Sequence, residues 1–242
     1  MADDFARTPR TTVRRRAKRG TYDVATVHAI LDEALTASVA VVIDGAPQVQ
    51  PMIHARIGND LILHGLATNR LLNAIANGAE ACINAFMIDA LAVCRRIEDH
   101  SMLYRSATVY GRGRLVEDES EKAAIMMQVF ESLVGKSRTP SLPALPEGYL
   151  DGTMVVVVPI EEAVGKVNSD VPTDVGPEGV WSGFVPVTVA YGEPQPDSRT
   201  AAEGGGPPSD LTPRRKRGGG WPSHSVPSSS RSTTIGSWSY SR

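Results

Sequence analysis

Apolar runs at Val39–Ile43, Val49–Ile57 and Leu61–Leu63 are separated by Asp44-Gly45-Ala46-Pro47 and Gly58-Asn59-Asp60, so the pattern predicts hairpin-connected strands. Ala67-Thr68-Asn69-Arg70 then leads into a helical pattern through Leu71, Leu72 and Ile75, with Thr68 or Asn69 as its cap. A helix start with a hydroxyl, an amide and an arginine in its first turn is a candidate anion site, and an ordinary cap is the alternative. Upstream, Val24, Val27, Ile30, Leu31, Ala34 and Leu35 form one stripe of an amphipathic helix, with His28 on its surface.

Downstream, Ala81–Ile88 and Leu91–Arg96 read as a strand pair about Asp89-Ala90. Ser106–Val116 reads as a strand bent at Gly111 and Gly113. Glu117–Val134 is predicted to be a helix whose apolar face is Ala124, Ile125, Met127, Val129 and Leu133. A proline-rich loop, Ser137–Glu147, precedes the strand Met154–Pro159, and Val185–Val189 is the last strand expected. Short strands at close spacing, split by turns, predict a β-rich α+β barrel or sandwich and not a βαβ sheet.

Composition divides the 242 residues into three parts. Residues 1–20 form a polar arm containing Arg14-Arg15-Arg16-Ala17-Lys18-Arg19, residues 21–198 carry the periodic segments, and residues 199–242 form a tail. Glycine, proline and serine make up about half of that tail, which is expected to be disordered because it has little apolar surface to offset chain entropy. Its Arg214-Arg215-Lys216-Arg217 cluster leaves a partner-binding role open. The net charge of −2 gives no overall pull toward nucleic acid. No run is long and apolar enough for a membrane span, and no secretory apolar segment follows the basic start, so the cytoplasm is the expected location.

Cys82 and Cys94 lie in or beside apolar segments and are expected to be reduced thiols. The histidines are scattered without metal-ligand spacing, and no GxSxG, Walker or dinucleotide fingerprint occurs. Three segments remain as candidate sites. His64-Gly65 ends a strand just before the Thr68-Asn69-Arg70 helix start. Pro51-Met52-Ile53-His54 lies on the second long strand. His100-Ser101-Met102-Leu103-Tyr104-Arg105-Ser106 is unusually polar for a connection entering a barrel strand.

Across residues 8–197 a series of short pieces occurs in a recognisable order. They include Thr8-Pro9-Arg10, Lys18-Arg19-Gly20-Thr21-Tyr22-Asp23, Ile30-Leu31-Asp32-Glu33-Ala34, Leu63-His64-Gly65 and His100–Ser106. Val109-Tyr110-Gly111, Val116-Glu117-Asp118, Pro159-Ile160-Glu161-Glu162-Ala163 and Trp181-Ser182-Gly183 continue the series. In their order and spacing the chain resembles the flavin-nucleotide-binding proteins related to pyridoxamine 5'-phosphate oxidase, including the nitroimidazole-reductase-like branch.

That resemblance implies a Greek-key-like split β-barrel with flanking helices, a homodimer, and FMN at the dimer interface. It implies Arg70, with Thr68 and Asn69, as a phosphate ligand, and backbone groups of Pro51, Met52 and Ile53 at the flavin edge. His64 and Gly65 would lie at the flavin ring, where His64 hydrogen-bonds a substrate or moves a proton, or merely lines the cavity. Tyr104, Arg105 and Ser106 would approach the cofactor, with Arg105 alternatively pairing an acid such as Glu98 or Asp99. The function implied is a flavin-dependent oxidoreductase acting on a small organic substrate. An F420-dependent reductase and a non-catalytic flavin-binding protein are the alternatives. The C-terminal arginine and histidine pattern of pyridoxamine 5'-phosphate oxidase itself is not matched.

Overall fold

Turn chemistry builds the centre of the molecule. In the computed structural model, which describes residues 4–135, 142, 143, 145–170 and 175–207, Thr36–Ile43 (β2) and Ala46–Ile57 (β3) join through Asp44-Gly45. Both turn residues have positive φ, 52° and 76°, the geometry that matches the twist of a two-residue hairpin. Gly58 at φ 61° turns β3 into Asp60–Leu66 (β4). Before this meander lie Gly20–Thr21 (β1) and the helix Val24–Glu33 (α1), which buries Val27, Ile30 and Leu31 and is capped by the Asp23 carboxylate.

Arg70–Ala76 (α2) follows β4, with Leu71, Leu72 and Ile75 buried. Glu80–Val93 (β5) is a single long strand, where sequence predicted a strand pair. The register shifts between Ile88 and Ala90, so Asp89 is a bulge and not a turn. Ser101–Arg112 (β6) pairs with β5 along its length and passes through Gly113 into Arg114–Leu115 (β7). A Cβ on Gly113 would stand 2.5 Å from Val156 and 2.6 Å from Ile75, so only glycine allows the chain to approach this closely.

Glu119–Val134 (α3) starts at an Asp118 cap and presents Met126 and Val129, with half-buried Ile125, Phe130 and Leu133, to the sheet. Its buried methionine is Met126 and not the predicted Met127, and Ala124 is exposed, because the contacting stripe runs at 126, 129, 130 and 133. Thr153–Pro159 (β8), Glu162–Asn168 (β9) and Gly183–Pro186 (β10) complete the sheet, β10 ending earlier than the predicted last strand. The loop predicted over 137–147 lies largely outside the described residues.

Among the described residues all pairings are antiparallel, in the order β1-β9-β6-β5-β2-β3-β4-β8-β7, with β10 on β5. The ladder is not closed. Yet β6, third in that order, runs through one residue into β7 at its far end, so the sheet curls on itself as a split barrel. One core lies inside, under α1 and α2, and a second lies between α3 and Ala55, Ile62, Val155 and Val157.

The N-terminal arm is ordered on this barrel. Phe5 is buried and donates its N–H to the Tyr22 carbonyl, and Arg10 bridges Glu80 and Glu162. Of the tail expected to be disordered from residue 199, the described part begins in an exposed helix, Ser198–Ala202 (α4), capped by Asp197, and residues 208–242 lie outside the described residues. Among the described residues no helix is long and apolar enough to cross a membrane.

Candidate functional site

The split between β3 and β4 brings the first group of predicted residues together. Residues 46–53 of β3 pair only with β2, and β4 joins β3 only from His54–Leu63 onward. Among the described residues no strand covers the other edge of β3 between Ala46 and Ile53. Alternation fixes which backbone groups face that open edge. The tight hairpin pairs Ile43↔Ala46 and Ile57↔Asp60 turn the even residues of β3 toward β2 and the odd ones toward β4. Pro47 and Pro51 therefore cost the β2 ladder nothing, since their missing N–H groups would point to the open edge.

The same alternation divides Pro51, Met52 and Ile53. The side chains of Pro51 and Ile53 lie outward and exposed, while Met52 is buried in the core and pairs with Ala37. Met52 is thus turned away from the open edge. His54 is fully buried, its Nε2 2.9 Å from the Leu31 carbonyl oxygen, and serves to seat α1.

His64 lies one step beyond the last paired residues of the split, on the same face of β4 as Ile62 and therefore on the outward face shared with Ile53. Its Nδ1 is buried without a hydrogen-bond partner among the described residues. Burial holds its pKa below the ordinary 6.5, so the ring is neutral at pH 7. Gly65 points the other way, toward the α2 residue Leu72, where a Cβ would come within 3.1 Å.

At the start of α2, Asn69 is the cap: its Oδ1 accepts from the N–H groups of Leu71 and Leu72, each at 3.0 Å. These N–H groups are therefore occupied, where the sequence reading left them available to an anion. The Asn69 amide reaches across to Gln50 Oε1 on β3 at 3.2 Å, tying the helix start to the open strand. Arg70 forms an exposed ion pair with Asp44 at 2.8 Å, and Thr68 is exposed beside it. Pairs of this kind are weak in water, so the guanidinium is readily exchanged onto another anion.

The second predicted group, on β6, is also divided by alternation. Tyr104 and Ser106 share the outward face with Phe86 and Ile88, whereas Arg105 shares the inward face with buried Leu103 and Ala107. Arg105 donates to Glu33 at 2.6 and 3.0 Å and to Asp89 at 2.7 and 3.0 Å. The acids it pairs with are therefore Glu33 and Asp89, not Glu98 or Asp99. Both carboxylates raise its pKa further, so its charge is permanent.

The two groups are three strands apart on the outward face, about 14 Å at the usual strand spacing. Between them lies a surface that the described residues leave uncovered, carrying Val49, Ile53, Phe86, Ile88, Leu91 and Met102, all exposed. The partners Gln50, Glu33 and Asp89 and this apolar face escaped the sequence reading, although strand parity carries the signal for the face. Among the described residues no cluster of histidine, cysteine, aspartate or glutamate could hold a metal ion.

This open-edged, antiparallel barrel with helices at its mouth and flank is a split barrel in its fold and in its comparisons. The family model described as pyridoxamine 5'-phosphate oxidase matches residues 23–167, and the chain belongs to that family. A flavocytochrome, Anf3, from Azotobacter vinelandii aligns at 28% identity over 79% of this chain and 90% of that chain, with a TM-score of 0.72. A FAD and haem binding protein from Mycobacterium smegmatis aligns at 27% identity over 82% of this chain and 100% of that chain, with a TM-score of 0.75. A Bacteroides thetaiotaomicron protein assigned to 5-nitroimidazole antibiotic resistance shares the fold at 21% identity, over 61% of this chain and 86% of that chain, TM-score 0.50. No curated protein matches the chain in sequence.

Proposed function

We propose that this chain is a flavin-nucleotide-binding redox protein, with FMN as its cofactor and a small organic molecule as its substrate. The observation that carries the reading is the split itself. The unpaired stretch of β3 is bordered by a buried imidazole nitrogen without a partner, on the neighbouring β4, and by an exchangeable arginine at the helix start that Asn69 ties to Gln50. An isoalloxazine edge is rich in donors and acceptors and suits such an edge, while its dianionic phosphate suits Arg70 with Thr68 and the Asn69 amide. With two N–H groups of α2 already capped, side chains supply most of that phosphate contact.

When bound, the flavin supplies the electron transfer. The protein's part is to hold and shield it. The neutral His64 ring can accept a hydrogen bond or a proton at Nδ1, or donate one in its other tautomer, beside the reacting edge. Ile53 and Pro51 exclude water from the same side.

One copy leaves Tyr104 and Ser106 about 14 Å from the split, and leaves the apolar face between them bare. A homodimer that packs this face on a second copy covers the patch and brings the second group of one protomer toward the split of the other. Light scattering of the cofactor-loaded protein tests this, with a dimer expected; a monomer that retains its flavin rejects it. Turnover of NAD(P)H with a nitroaromatic acceptor separates the enzyme from a flavin-binding protein without turnover. Bound F420, the other alternative, is separated from FMN by its absorbance.

A second reading takes the larger nucleotide FAD, with a haem beside it, as in the FAD and haem binding protein of Mycobacterium smegmatis; the Azotobacter vinelandii relative is a flavocytochrome. The observation in its favour is again His64, since a neutral imidazole without a protein partner is the form that ligates iron. A Soret band lost in His64→Ala would decide for it. Cys82 and Cys94 are not joined in a disulfide, which suits the cytoplasm, where we place the protein.

A further inference from the structure

We infer that the basic N-terminal arm builds a second, separate anion site, which takes a phosphate-bearing small molecule. The arm does not wave in solvent. Around Arg16 it folds back over the ends of β6 and β9 and, with the loop after β5, encloses a cleft of about 470 Å³. Arg15, Arg16, Arg19 and Lys166 line that cleft. It shares Tyr104 with the outward face but none of the β3, β4 or α2 residues of the split.

The charges of the cleft do not cancel within the protein. Asp170 is taken by Arg19 at 2.8 Å and Lys18 at 3.6 Å, and Glu98 is taken by Arg96. Among the described residues Arg15, Arg16 and Lys166 have no acidic partner, against one lining acid, Asp99, without a cation. Three cationic residues without an acidic partner around a cavity of this size attract a di- or trianion, and two of them are arginines, whose guanidinium groups suit bidentate phosphate contacts.

The backbone adds an independent observation. Arg16 is held at φ 56°, ψ 49°, the left-handed region, and its side chain makes no capping hydrogen bond there. A β-carbon in that conformation costs energy that glycine would avoid, and strain of this kind concentrates at ligand sites. An arginine stands in the strained position, and that residue lines the cleft. Tyr104 at the wall offers a ring against which a planar base can stack. The ligand is thus a phosphate ester or diphosphate, with a nucleotide favoured over the free ion.

The test is calorimetric titration of the purified, cofactor-loaded protein with pyrophosphate and, separately, with ADP. Saturable binding of both is expected, tighter for ADP, with no release of flavin. Arg16→Gly removes the guanidinium while fitting the left-handed backbone better, so its melting temperature should hold or rise. Its affinity for both probes should fall about tenfold or more, and Lys166→Met should do the same. Equal affinity for the two probes would identify a free-phosphate site and overturn the preference for a nucleotide. No binding by the wild type, unchanged affinity in Arg16→Gly, or displacement of flavin by either probe would overturn the separate site. Flavin content is read independently in every variant, so a failure here leaves the split reading intact and the converse also holds.

Discussion

Replacing Arg105 with alanine separates a structural role from a cofactor role. In the fold this guanidinium lies between Glu33 at the end of α1 and Asp89 in the β5 bulge, with exposures of 29%, 12% and 23% for the three side chains. It therefore ties the helix to the sheet and fixes the bulge. Removing the cation leaves two carboxylates facing each other in a half-buried site. For fully buried pairs the loss is about 3–5 kcal/mol, and the remaining contact with water lowers our expectation to about 2–3 kcal/mol. At about 2–4 °C per kcal/mol for a domain of this size, the melting temperature should drop by about 5–10 °C. Urea unfolding gives the free energy, and flavin content per folded molecule is measured below the transition. Arg105→Ala should lose stability but keep its flavin, and Arg105→Lys should lie between it and wild type. A destabilisation under about 0.5 kcal/mol, together with loss of flavin, would refute the ion-triad reasoning and return Arg105 to the cofactor.

Arg70→Ala removes a charge-assisted contact worth about 2 kcal/mol, so FMN affinity by fluorescence quenching should fall roughly thirty-fold while riboflavin, lacking the phosphate, binds both forms alike. His64 has a folded pKa below its ordinary 6.5, so the unfolded chain binds its proton first and stability should fall as pH drops below 6.5. His64→Gln should flatten part of that slope in pH-dependent urea titrations, and an unchanged slope would show that the ring is not a buried neutral group. Gly113→Ala forces a methyl into Val156 and Ile75 and should cost about 1–3 kcal/mol in the same assay. Deleting residues 198–242 should leave melting temperature and flavin content unchanged, because α4 buries nothing; a large drop in either would show that the tail packs on the barrel.

The meander was legible because its turns carry their own chemistry: Asp44-Gly45 and Gly58-Asn59 admit few structures other than hairpins. The helices α1, α2 and α3 were legible from their stripes, whereas α4 buries no face and has none to read. Asp89-Ala90 misled for the opposite reason, since an aspartate between apolar runs looks like a turn until its carboxylate is seen held by Arg105. That pairing joins residues far apart in sequence, as does Arg105 with Glu33, and no local pattern announces it. The grouping of Tyr104, Arg105 and Ser106 ignored an available constraint, because consecutive strand residues face opposite sides. The same rule removes Met52 from the open edge beside Pro51 and Ile53. The short strand β9 gave too weak an alternation to be read at all.

Whether the split beside β3 holds a flavin nucleotide is read from the absorbance spectrum of the purified protein. The paired near-ultraviolet and blue bands of an oxidised flavin, bleached by dithionite, are expected, with the released nucleotide identified by mass. A protein that shows no flavin bands as purified, and whose fluorescence titration with FMN and with FAD gives no saturable quenching, would contradict the flavin reading of the split.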